Sequence, residues 1–276
     1  IWITNVGDLK PMEFPISFFL DYAWSPDRWS AEELPEYSRQ WARKQFGAEY
    51  APEIADIMDT YTKYNSRRTP EMLSPDTYSL TNYREAKRIV TDYNRLADRA
   101  RDLYEALPED KQAAFYQLVL YPVAASANLN ALYVTTARNR LYAEQGRAAT
   151  NALADSVAAL FERDAELTNH YHEDMAGGKW SGIMSQAHIG DTGDWRAPSE
   201  NKMPEVERTN VPEAADMGVA VEGSRAWWPH AETDAALPSL HLHGAHSRSV
   251  EVFNRGQQPF EYTAETRSPW LTITPS

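Results

Sequence analysis

Between residues 83 and 107 an apolar residue recurs at alternating spacings of three and four: Tyr83, Ala86, Val90, Tyr93, Ala97, Ala100, Tyr104 and Leu107. That period lays one narrow apolar seam along a helix, and Arg84, Lys87, Arg88, Asp92, Arg95, Arg99 and Asp102 flank it. Such a helix must bury its seam against other helices, and the neighbouring sequence supplies them. Ser30 with Glu33 reads as a capping box opening a helix that runs to Gly47, a good C-cap. Pro52 fits the first turn of a second helix, with Ile54, Ile57, Tyr61 and Tyr64 on one face. A loop over 66–80 carries Pro70 and Pro75, and Pro108 ends the seam helix. A fourth helix is expected over 109–145 with a kink at Pro122. A fifth is expected over 147–175 with Leu153, Val157, Leu160, Phe161 and Leu167 inward. Residues 25–177 therefore read as a five-helix bundle.

The flanks differ. Ile1-Trp2-Ile3-Thr4 reads as a buried strand, followed by a loop with Gly7 and Pro11 and an apolar helix or turn set over Met12–Trp24. Residues 1–24 are thus one βα unit, and such units carry site residues after the strand. Prolines 198, 204, 212 and 229 make 178–237 a long loop or connector. In 238–276 apolar and polar residues alternate at Leu240/Leu242, Val250/Val252, Phe260/Tyr262 and Leu271/Ile273, the start of an antiparallel β-sandwich. A chain opening on Ile1 and ending in strand-like alternation is expected to be a piece of a longer protein.

Composition removes several classes. The net charge of −13 leaves no basic surplus for nucleic acid. The absence of cysteine excludes a disulfide scaffold, a thiolate metal site and a cysteine nucleophile. Mean hydropathy is −0.61, and no run of about 18 apolar residues suggests a membrane span. With 9 Trp, 15 Tyr and 8 Phe, the chain is expected to fold.

Four constellations carry possible chemistry. Asn5, Asp8 and Lys10 share one short loop, which fits either the rim of a sugar site or Asx-type turns serving their own backbone. His170 and Asp174, at i and i+4, fit two ligands of a metal or a polar helix end; two ligands do not make a site. His241, His243 and His246 fit a metal clip, or more simply a solvated strand face. Trp180, Gln186, His188, Asp191 and Trp195 suit a carbohydrate, or a loop pinned down by its tryptophans. Carboxylate spacing in sequence does not nominate a glycosidase pair. Walker, GxSxG, HExxH and complete GxGxxG motifs are absent.

Trp2-Ile3-Thr4-Asn5-Val6-Gly7-Asp8-Leu9-Lys10-Pro11-Met12-Glu13-Phe14-Pro15 resembles the signature of glycoside hydrolase family 115. Met175–Trp180, Met184–Gln186 and His188–Gly190 resemble a second family segment, and Val252–Gly256 with Pro269–Leu271 resembles its β-sandwich. The resemblance implies a xylan α-1,2-glucuronidase. Such an enzyme releases glucuronic acid or its 4-O-methyl ether from glucuronoxylan or aldouronic oligosaccharides, with inversion. It implies a multidomain chain, mainly α here: the end of a TIM-like (β/α) barrel, a five-helix bundle, then the start of the sandwich. Asn5 is then a sugar-contacting residue, Asp8 and Lys10 shape the loop or touch the sugar, and the acid and base lie upstream. No metal or cofactor is implied. A homodimer and an extracellular or periplasmic location are expected. The alternative is a non-catalytic carbohydrate-binding or subunit-interaction module. Exposure of Trp2 and Ile3 in a complete protein would weaken the enzyme reading.

Overall fold

The structure, a computed structural model, describes residues 1–7, 9–190, 198–241, 243–244 and 246–274. It divides into two compact units. One comprises 1–80, 84–137 and 155–206, the other 81–83, 138–154 and 207–276.

The first unit is helical. Its elements are α1 (Glu13–Trp24), α2 (Leu34–Phe46), α3 (Ala51–Asn65), α4 (Glu85–Ala106) and α5 (Glu109–Phe115). To these it adds α6 (Tyr121–Glu144) as far as residue 137 and α7 (Thr150–Asn169) from residue 155. Glu33 does reach back to Ser30, accepting from its N–H at 3.2 Å and its hydroxyl at 2.9 Å. That contact closes a turn rather than opening the helix, because Pro35 sets the first turn of α2 one step later. Gly47 ends α2 with φ +95°, a conformation that L side chains rarely adopt. The Lys111 ammonium then donates to the last carbonyl of α2, that of Phe46, at 2.7 Å.

On α4 the seam residues Ala86, Tyr93, Ala97 and Ala100 are buried, but so are Ile89 and Leu96, and Tyr83 is exposed. The apolar face is broader than a coiled-coil seam, as packing against several neighbours requires. Pro122 interrupts the fourth helix as expected, by a π-helical turn over Tyr116–Leu120. Proline has no N–H for the carbonyl four residues back and its ring crowds that carbonyl, and a wider turn relieves both. A second π turn follows α7 at His170–Asp174. Phe46, Ile54, Ile57, Tyr93, Phe115 and Tyr171 are among the most buried side chains of the core. By composition Glu109–Glu144 is long and apolar enough to cross a membrane, but 78% of its apolar window is buried inside the protein.

The second unit holds a three-stranded antiparallel sheet of order β2-β1-β3, from β1 (Met217–Val221), β2 (Trp227–Trp228) and β3 (Val250–Asn254). Val219 lies opposite Trp228 on one side and Val252 on the other. The expected strand at Val250/Val252 forms. The central strand, however, comes from the stretch read as connector. Leu240, Phe260/Tyr262 and Leu271/Ile273 form no strand, and Leu242 lies outside the described residues. Alternation makes a strand only where a neighbour takes its ladder hydrogen bonds.

The irregular backbone of this unit is held by side chains. Asn139 accepts from the Glu207 N–H at 2.7 Å and donates to the carbonyls of Glu207 and Thr150, each at 2.9 Å. At Gly256 an added Cβ would lie 1.7 Å from the Ala214 carbonyl oxygen, so only glycine fits. The Arg147 guanidinium is buried over the rings of Tyr142 and Phe253, at 4.1 and 3.9 Å. It donates to Gln145 at 2.6 Å and to Glu251 at 2.8 Å. Arg147→Lys keeps the charge but loses the planar stack and fork. It is expected to lower stability by about 2 kcal/mol in urea unfolding, against under about 1 kcal/mol for Glu251→Gln, whose carboxylate is exposed.

Candidate functional site

The expected strand over Ile1–Thr4 does not form, and Ile1, Trp2 and Ile3 are exposed. A lone strand has no ladder partner, and no described strand runs beside it. The loop that follows serves its own backbone. The Asn5 Oδ1 accepts from the Gly7 N–H at 3.3 Å, and Gly7 takes φ +57°. Asp8 lies outside the described residues. Lys10 pairs with Glu13 in the first turn of α1, and Glu13 also accepts from Gln45 at 2.7 Å. Asn5 stays exposed on the loop, while the Lys10 ammonium is already partnered.

Helix α1 docks by its aromatic side chains. Phe14 meets Trp41 edge-on at 5.0 Å, and Phe18 meets Tyr37 at 5.1 Å. The Tyr37 hydroxyl donates to Asp21 at 2.9 Å. A cavity of about 440 Å³ lies beside this contact, lined by Met12, Phe14, Phe18, Met58 and Leu118. One carboxyl faces this mostly apolar space: Asp59, which accepts from the Ser38 hydroxyl at 2.6 Å. Desolvation raises the Asp59 pKa, against the pull of the Ser38 hydrogen bond.

The described part of the 178–196 segment, residues 178–190, is pinned to α7 by His188. Its Nε2 lies 2.9 Å from each Asp164 carboxylate oxygen, and its Nδ1 lies 3.0 Å from the Gln186 carbonyl. Both ring nitrogens face acceptors, an arrangement that favours the imidazolium. The His188 pKa is accordingly raised, chiefly by the hydrogen bond to Asp164 and against desolvation. The Asn201 Oδ1 accepts from the N–H groups of His188 and Ile189, at 2.7 and 3.0 Å. Ile189 is fully buried beside Leu132 and Val157. Trp180 packs on the main core, Gln186 is exposed, and Asp191 and Trp195 lie outside the described residues.

Asp164 was not singled out from sequence. Its signal was there: it falls on the same face of α7 as Val157, Leu160 and Leu167, a carboxylate in an apolar stripe. His170 and Asp174 share a face as expected, at 3.0 Å, and the His170 ring packs edge-on against Tyr116. His172 accepts from the Met184 N–H at 3.0 Å through Nε2. His241, His243 and His246 are exposed. Among the described residues no three His, Asp or Glu side chains are grouped to hold a metal ion.

Residues 1–72 match the model of glycosyl hydrolase family 115. No curated protein sequence matches the chain. Among solved structures, a match with TM-score 0.57 and 23% identity covers 78% of this chain and 30% of the other. That structure is described as a family GH115 4-O-methyl-α-glucuronidase, BtGH115A, with specificity for decorated arabinogalactans. At this identity the likeness carries the fold, and this chain spans under a third of that protein's length. The resemblance to glycoside hydrolase family 115 therefore stands, carried in sequence by residues 1–72 and in fold by most of the chain. The 175–190 and 252–271 stretches lie outside the matched residues.

The His188–Asp164 pair gives a signed pH dependence. Because the folded pKa of His188 is raised, its stabilisation is fully present below the unfolded value of about 6.5 and is lost as pH rises through the folded value. In urea unfolding the advantage of the wild-type chain over His188→Gln should be largest near pH 6 and shrink by pH 9. A pH-independent difference would mean that the imidazole is neutral.

Proposed function

We propose that this chain is part of a glycoside hydrolase that removes glucuronic acid, or its 4-O-methyl ether, α-1,2-linked to xylose in glucuronoxylan. The carrying observation is the family match over residues 1–72, which includes the Asn5–Lys10 stretch. In this reading residues 1–24 are the last strand and helix unit of a TIM-like barrel, 25–177 the bundle, 178–237 a connector and 238–276 part of a sandwich. The acid and base come from outside this chain. They sit far enough apart, about 6.5–9.5 Å, to admit the water of an inverting displacement.

The state of residues 1–24 supports that placement. Helix α1 carries Phe14, Ile16, Phe18, Phe19 and Leu20, yet none of its residues is fully buried. Trp2 and Trp24 are exposed as well. An apolar surface of this kind fits cover by a further body of the same protein. The exposure of Trp2 and Ile3 would count against an enzyme only if the chain were the whole protein. Asn5, exposed on the loop with one backbone contact among the described residues, is the residue proposed to meet the sugar, with Asp8 and Lys10 shaping the loop or touching the sugar. The enzyme acts as a homodimer outside the cell or in the periplasm. It takes glucuronoxylan or aldouronic oligosaccharides, binds neither nucleic acid nor membrane, and needs no cofactor.

The relative's printed preference for decorated arabinogalactans supplies the second backbone to try. Incubated with glucuronoxylan, the full gene product is expected to release 4-O-methylglucuronic acid, and this chain alone to release none. Release from decorated arabinogalactan only would move the substrate to that backbone. Release from neither would favour a binding or subunit-interaction module. Asn5→Ala in the full protein is expected to lower turnover about 10- to 100-fold with the fold intact, the size of one lost polar contact in a closed site. Unchanged kinetics would remove Asn5 from the site.

A further inference from the structure

The cavity of about 440 Å³ beside α1 lies wholly within the helical unit. Its size falls within the ~300–1,000 Å³ usual for small-ligand sites. It opens between α1 and the facing sides of α2 and α3. It is distinct from the outer surface of α1, since the exposed Trp2, Leu20 and Trp24 do not line it. Four aromatic residues do: Phe14, Phe18, Tyr37 and Tyr61. Among the described residues, Asp59 is the one charged member of the lining, and no Lys, Arg or His joins it. Asp59 also keeps contact with solvent, which puts it at the mouth. Its Oδ1 accepts from the Ser38 hydroxyl at 2.6 Å, and its Oδ2 accepts no hydrogen bond from the described residues. Of the charges that act on Asp59 from nearby, Asp56 is held by Arg99 at 2.7 Å, and Arg39 lies 3.7 Å from Glu36.

The polar groups of the lining decide what kind of ligand fits. The Tyr37 hydroxyl donates to Asp21 at 2.9 Å, that of Ser38 to Asp59, and that of Thr62 to the Met58 carbonyl at 2.9 Å. The Tyr61 hydroxyl meets Ser126 and Asn65. Each lining hydroxyl is thus engaged within the protein, which leaves little for the hydroxyls of a sugar. What remains is apolar wall, aromatic rings and one carboxylate oxygen. That set suits an organic cation: the rings attract it through their quadrupole, and the carboxylate accepts a charge-assisted hydrogen bond. An anion would meet Asp59 with no cation to hold it.

We propose that this cavity binds an organic monoammonium ion with an apolar body, the body among Phe14, Phe18, Met58 and Leu118 and the ammonium on Asp59. The argument uses only the helical unit and does not rest on the hydrolase reading. The assay reads binding and not hydrolysis, so either proposal can fail alone.

The test is titration of the 276-residue chain and of the full gene product with 2-phenylethylammonium chloride, followed by NMR or calorimetry. The comparisons are 2-phenylethanol and 3-phenylpropionate, which carry the same ring on a neutral and an anionic head. Saturable binding of the ammonium is expected in both proteins, at least ~10-fold tighter than the alcohol, with the carboxylate weakest. Asp59→Asn should bring the ammonium down to the level of the alcohol and leave the alcohol unmoved. It should leave the unfolding midpoint unchanged or raised, because it keeps an acceptor for Ser38 and removes a charge that burial disfavours. Thr62→Phe, which narrows the cavity from α3, should weaken ammonium and alcohol alike. Absent binding, alcohol binding as tightly as the ammonium, or ammonium binding untouched by Asp59→Asn would each overturn the proposal. Binding by this chain that is lost in the full gene product would overturn it too, in favour of a side-chain cation from the body that covers the cavity.

Discussion

The helical unit depends on the meeting of two widened helical turns. Tyr116–Leu120 and His170–Asp174 each depart from α geometry, and their side chains interlock. The Tyr116 hydroxyl donates to the Leu167 carbonyl at 3.0 Å, and the Gln117 amide donates to the Tyr171 hydroxyl at 2.7 Å. The Tyr121 ring packs edge-on against Tyr171 at 4.9 Å. All of this is buried, so each polar group has to be answered inside the protein. The cost of burial is visible at Tyr121, whose pKa is pushed up to about 12 mainly by desolvation. From this junction the core extends through Tyr104 and Phe115 to Phe46, the end of α2.

Much of that unit was legible because its signals are local. The recurrence on α4, the positive-φ glycine after α2, the proline in the first turn of α3 and the interruption at Pro122 each follow from backbone sterics within a few residues. What was not legible depends on distant partners. Met217-Gly-Val-Ala-Val221 becomes the central strand only because Trp227–Trp228 and Val250–Asn254 come to lie on its two sides. Phe260/Tyr262 has the same alternation and no such neighbour. Ile1–Thr4 has strand composition and lacks a sheet to join.

The candidate sites divide the same way. Asn5 and Lys10 were found from their place after a strand-like run. Their contacts with Gly7 and Glu13 are the local ones that short polar loops make. His188 was singled out among aromatic neighbours, but its role comes from Asp164, 24 residues away on α7. The cavity with Asp59 at its mouth left no linear motif, since it joins α1 to the facing sides of α2 and α3. Fold periodicities can be read one element at a time, whereas sites made by two elements cannot.

Functionally, the account rests on residues 1–24 being one face of a larger catalytic body. That claim has a direct physical readout, amide hydrogen exchange, because covered and hydrogen-bonded backbone exchanges slowly and exposed backbone does not. Exchange over Ile1–Trp24 should be measured in this chain alone and in the full gene product. The account predicts fast exchange over these residues in the isolated chain and strong protection in the full protein, with α2 to α4 protected in both. Equally fast exchange over Ile1–Trp24 in the full protein would contradict it.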